Sequence, residues 1–126
     1  MGKIISVGID PSFTGTGIVI LIDDQLYYST TVTTDSKESI LTRVGEIVAD
    51  ILDSLDKVLY RYKEGDKVII CVEGFSFASK GRAVFQIGYL GWKVREIIEG
   101  FCNFRGFTWI EVPPNNLKLY ATGKGN

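Results

Sequence analysis

The chain has 126 residues, 45% of them hydrophobic, with 14 basic and 15 acidic side chains and a net charge of −1. That length suits one domain spanning residues 1–126, and the composition supports a packed core rather than a disordered chain. The sequence holds no histidine and two cysteines, Cys71 and Cys102 in apolar contexts. This excludes a histidine base and every Ser-His-Asp or Cys-His arrangement, and it speaks against structural zinc.

Lys3 to Ile9 reads as a nearly all-apolar strand, the pattern of a central strand covered on both faces. It stops at an acid, Asp10, and the turn Pro11-Ser12-Phe13-Thr14-Gly15-Thr16 follows. Gly17 to Ile22 is a second apolar run, Asp23-Asp24-Gln25 a turn, and Leu26 to Thr34 a third strand rich in Tyr, Thr and Val. Short connections predict an antiparallel meander for these three. From Asp35 the period becomes helical, with apolar residues from Ile40 to Leu59 at three- and four-residue steps. Asp35 with Glu38, or Ser36 alone, is expected to cap this helix. Lys67 to Val72 is another buried-type strand, and it too ends in an acid, Glu73. The loop Gly74–Arg82 leads to a second helix from about Ala83 to Phe101. Gly88 and Gly91 inside it imply a close approach, either to a second copy of the chain or to its own sheet. Phe107 to Val112 is a fifth strand, broken by Pro113-Pro114, and Asn116 is placed to cap a short last helix. The fold class is therefore α/β, with a mixed sheet: three antiparallel strands, then parallel strands joined through helices.

If the first and fourth strands are parallel neighbours, Asp10 and Glu73 emerge at one sheet edge, where open α/β sheets bind ligands. Two hard oxygen donors favour Mg²⁺, with Mn²⁺ as a substitute, over zinc. Two such ions, about 3.5–4 Å apart, would suit phosphodiester hydrolysis. The plain alternative is that each acid merely ends its strand in water. Glu73 is followed by two aromatics, Phe75 and Phe77, and two cations, Lys80 and Arg82. Either phenylalanine is a candidate to stack on an unpaired base or to anchor the loop, and the cations are candidates for phosphate contacts. Charge is uneven: residues 1–60 carry four basic and nine acidic side chains, residues 61–126 ten and six. The acids Asp23, Asp24, Glu38, Glu46, Asp50, Asp53 and Asp56 read as solvated turn and helix surface. Tyr27, Tyr28 and Trp109 read as sheet residues, and Trp92 is a candidate for a dimer interface.

The segments MGKIISVGIDPSFTGTGIVI, VIICVEGFSF and WIEVPPNNLKLYATGKGN resemble the RuvC family of Holliday-junction resolvases, within the ribonuclease H-like superfamily. The specific part is GIDPS at the first strand and VEGF at the fourth. The resemblance implies a five-stranded ribonuclease H-like sheet flanked by helices and a Mg²⁺-dependent endonuclease cutting four-way junctions and other branched DNA. It implies a homodimer, because a two-fold junction needs two active sites. It makes Asp10 and Glu73 metal ligands and puts Lys118 near the active site, with Lys124 as a second candidate. Family members have two further acids on a C-terminal helix, whereas no Asp or Glu lies between Pro113 and Asn126. The expectation is a phage-encoded member, truncated at its C-terminus by design or proteolysis, and cytoplasmic in a bacterial host. No run of 18 apolar residues suggests a membrane span, and the N-terminus does not read as a signal peptide. A junction binder that does not cut is the competing reading. A more distant one is an actin-like ATPase fragment, whose phosphate turn DPSFTGTG loosely resembles.

Overall fold

The computed structural model describes residues 2–75 and 81–113. The elements run β1 (Ile4–Asp10), β2 (Thr16–Ile22), β3 (Gln25–Val32), α1 (Ile40–Arg61), β4 (Lys67–Glu73), α2 (Arg82–Arg105) and β5 (Thr108–Val112). The sheet order is β3-β2-β1-β4-β5. The first two pairings are antiparallel; β1–β4 and β4–β5 are parallel. This is the mixed α/β arrangement read from the sequence, three antiparallel strands and then parallel ones, and it has the five strands that the family resemblance implies.

Strand alternation sorts the sheet into two unlike faces. Ile5, Val7 and Ile9 register with Val68, Ile70 and Val72 on one side and with Ile18 and Ile20 on the other. All eight are buried, in one cluster with Ile47, Ile51 and Leu55 of α1 and Leu90, Val94 and Ile98 of α2. Both helices therefore pack on the same face, and each fully buried aliphatic side chain contributes about 1.5–3 kcal/mol. The opposite face is more open among the described residues: Val19, Leu21 and Ile69 are partly exposed and Ile110 is exposed. Among the described residues, helices cover β1 on one face, while Ser6 and Cys71 on the other face are also buried. Cys71 and Cys102 are buried free thiols; burial pushes Cys102 up to about 11 and raises Cys71, so both stay protonated.

α1 begins five residues later than its periodicity suggests. Asp35 is spent on its own turn, accepting from the Lys37 amide at 2.9 Å while the Asp35 carbonyl accepts from the Glu38 amide. Ser39 is the cap instead, its hydroxyl accepting from the Thr42 amide at 3.1 Å. α2 runs on to Arg105 and stops at Gly106, whose φ of 72° is the left-handed conformation that ends helices. The β2–β3 turn is built on Asp23 and Asp24, with φ of 48° and 66°. Asp23 is more than solvated surface, because its carboxylate accepts from the Ile4 amide at 2.9 Å and fastens the start of β1.

A second fastening joins the starts of β1 and β4. Asp66 accepts from the Lys3 amide at 2.9 Å, the Lys3 ammonium at 2.6 Å and the Lys63 amide at 2.8 Å. The Lys3 hydrogen bond, helped by the two amides, lowers the Asp66 carboxyl from 3.8 to about 2 against the opposing effect of burial. A lowered folded-state pKa means that the Asp66 contribution is complete above the ordinary carboxylate range and fades as pH falls through the folded value. Asp66→Asn should therefore lower the thermal midpoint at pH 7, and the gap to wild type should close between about pH 4 and pH 2 in melts followed by circular dichroism. Ser39→Ala should cost about 1 kcal/mol in urea unfolding, because it removes the hydroxyl that caps the Thr42 amide.

Candidate functional site

β1 and β4 run parallel with Ile9 opposite Val72, so the next residues, Asp10 and Glu73, stand side by side at the carboxyl edge of the sheet. Adjacent strands lie about 4.8 Å apart, which sets the scale of their separation. The chain leaves β1 toward β2 on one side and reaches β4 on the other, so the edge between them is a reversal point of the strand order. Both acids line a cleft of about 490 Å³. Its walls are the β1–β2 loop, the end of β4 with Gly74 and Phe75 after it, and about two turns of α2 from Ile87 to Arg95. Asp10 is half-buried and Glu73 is 9% exposed.

The loop after Asp10 is tightly tied. The Thr16 hydroxyl donates to the Ser12 carbonyl at 2.7 Å and accepts from the Ser12 amide at 3.0 Å. The Ser12 and Thr14 hydroxyls lie 2.9 Å apart beside the cleft. From the other side, Arg43 of α1 donates to the Phe13 carbonyl at 3.0 Å and to the Thr34 hydroxyl at 2.8 Å, with its guanidinium 5.0 Å from the centre of the Phe13 ring. The turn is thereby fixed to α1 and not left as a free flap.

Phe75 folds back onto α2. Its ring lies 4.1 Å from the Arg95 guanidinium and 5.5 Å from the Trp92 ring. A Cβ on Gly91 would come within 2.2 Å of Phe75, so Gly91 is glycine because this ring passes over it. The close approach foreseen for the helix glycines is thus internal at Gly91, whereas a Cβ on Gly88 would meet open space. Arg82 is exposed at the first position of α2. Phe77, Lys80, Lys118 and Lys124 lie outside the described residues.

Two residues at this edge escape sequence reading. Arg95, 3% exposed in the middle of α2, pairs through Nε with the Glu111 carboxylate on β5. The two residues are 16 apart in the chain, and in the sequence each looks like an ordinary surface charge. Asp10 and Glu73 offer the hard oxygen donors that a magnesium-like cation takes, as part of its full set of six or more. No group of three or more acidic, cysteine or histidine side chains suited to a metal occurs among the described residues.

The backbone path matches solved structures. A Thermus thermophilus RuvC in complex with Holliday junction substrate aligns with 91% of this chain and 68% of its own, at TM-score 0.64 and 20% identity. A second Thermus thermophilus RuvC structure aligns with 97% and 71%, at TM-score 0.59 and 22% identity. The chain has the fold of these proteins. No protein-family model and no curated protein sequence matches it. No helix among the described residues is long and apolar enough to cross a membrane.

Gly91→Ala is expected to dislodge Phe75 and to cost about 1–3 kcal/mol, as over-packing of a filled site does. Urea unfolding measures the cost, and Trp92 fluorescence, read in a Trp109→Phe background, should report the moved ring.

Proposed function

We propose that the chain is a RuvC-type nuclease domain that cuts four-way and other branched DNA. The observation that carries this reading is the placement of Asp10 and Glu73 side by side at the reversal point of a RuvC-like sheet. Asp10 and Glu73 would hold Mg²⁺, or Mn²⁺ in its place, at the mouth of the cleft. An ion held there would supply Lewis-acid chemistry for phosphodiester hydrolysis, activating water and offsetting charge on the phosphate. The chain's own part is positional. Thr16 and Arg43 fix the β1–β2 turn, so that Asp10 is presented from a braced strand end. The Ser12 and Thr14 hydroxyls offer donors to phosphate oxygens beside the acids.

Arg82, with Lys80 and Lys124, would contact flanking phosphates, and Lys118 would offset charge in the transition state. Phe75 lines the cleft with one part of its ring held by α2, and Phe77 is the other aromatic of the loop available to an unpaired base. A second copy of the chain is the proposed partner. Phe85, Tyr89 and Trp92, spaced along one outer face of α2, are 79%, 41% and 64% exposed, a row of aromatics suited to a two-fold helix contact.

A second reading rests on the acid count. The described residues bring two acids to the cleft where the RuvC-family resemblance implies four, which also suits a protein that binds junctions without cutting them.

The deciding experiment incubates a labelled synthetic four-way junction with the chain and Mg²⁺, scoring gel shift and nicking together. Asp10→Asn should abolish nicking while leaving junction affinity within about threefold, because it removes a metal ligand and no phosphate contact. Binding without nicking by the wild-type chain would favour the non-cutting reading.

A further inference from the structure

Arg95 is a buried cation whose presence the packing alone does not explain. It lies among Leu90, Gly91 and Val94 on the inner side of α2, where an aliphatic residue would fill the space with no desolvation cost. It reaches three separate elements through one planar group. Nε donates to Glu111 at the end of β5, one NH2 donates to the Gly91 carbonyl of α2 at 2.9 Å, and the other donates to the Glu73 main-chain carbonyl at 3.2 Å. Phe75 and Trp92 lie against the guanidinium, with ring centres 4.1 and 5.8 Å away. The residues on either side of Gly74 are thus both held by Arg95: Glu73 by its carbonyl and Phe75 by its ring. Arg95 also lines the cleft with both acids.

We propose that Arg95 is a positioning residue that fixes the Glu73-Gly74-Phe75 segment and so sets the Glu73 carboxylate for cation binding in the cleft. The inference rests on the nuclease reading for the cation, and on the hydrogen bonds and the Phe75 ring contact for the clamp. Glu111, its carboxylate 48% exposed, is the counter-charge that lets the guanidinium stay buried. A lysine would not replace the arginine, because an ammonium is a point charge and cannot meet three acceptors in one plane.

The test titrates Mn²⁺ into the wild-type chain, Arg95→Met, Arg95→Lys and Glu111→Gln by calorimetry, and measures hydrogen exchange at the Gly74 and Phe75 amides in metal-free buffer. In the wild type the Gly74 amide donates to the Val112 carbonyl at 2.7 Å and should exchange slowly. Arg95→Met should weaken Mn²⁺ binding by about tenfold or more, the usual penalty for losing a group that orients a metal ligand. Exchange at both amides should quicken by about tenfold, and the thermal midpoint should fall as well, since only one partner of the buried pair is removed. Glu111→Gln, which keeps the guanidinium, should move both readouts the same way by a smaller factor, and it carries the test if Arg95→Met does not fold. Arg95→Met with a lowered midpoint but unchanged Mn²⁺ affinity and exchange would overturn the proposal, as would full recovery in Arg95→Lys. If the wild type takes up no Mn²⁺, the nuclease reading fails. The clamp is then judged on amide exchange: quickening in Arg95→Met supports it, and no change overturns it.

Discussion

The parallel pairing of β1 with β4 is the constraint on which the rest of the molecule depends. It places Ile9 beside Val72, and so Asp10 beside Glu73. Nothing local in either strand enforces it. α1 does, by carrying the chain over one face of the sheet and burying Ile47, Ile51 and Leu55 against the strands it connects. A slip of one residue would turn the buried isoleucines and valines outward and part the acids together, so the core and the site are specified by one register.

What could be read from the sequence follows from this. Apolar runs ending in acids are a local signal, and they located both strands and both carboxylates. Three- and four-residue spacing located α1, but not its start. Asp35 has the chemistry of a cap and closes a separate turn, and the choice between Asp35 and Ser39 depends on where the chain leaves β3. The mid-helix glycines signalled a close approach without naming its partner, because Phe75 reaches Gly91 across a loop. Arg95 and Glu111 carried no signal at all. A helical arginine and a strand glutamate are ordinary surface residues until packing turns them toward each other.

Buried charge appears at both ends of the β1–β4 pair, for different reasons. At the start of the strands, Asp66 gathers amides and an ammonium, each of which favours its ionised form. At the far end, Arg95 is satisfied by two carbonyls, one carboxylate and an aromatic face. The first arrangement joins two strands. The second joins a strand, its neighbour and a helix, and none of its partners belongs to β1.

That division has a mechanical consequence. Asp10 belongs to a unit braced by β2, Thr34 and Arg43, and Glu73 to a unit braced by β5 and α2. The two units are pinned together by Lys3 and Asp66 at one end of a seven-residue ladder, about 20 Å from the acids. Between that pin and the acids the ladder is paired continuously, from Ile4 beside Lys67 to Ile9 beside Val72, so the two units are held together up to the last registered pair. Asp10 and Glu73 stand one residue beyond that last pair, so their separation is set by two strand ends, each braced by its own contacts.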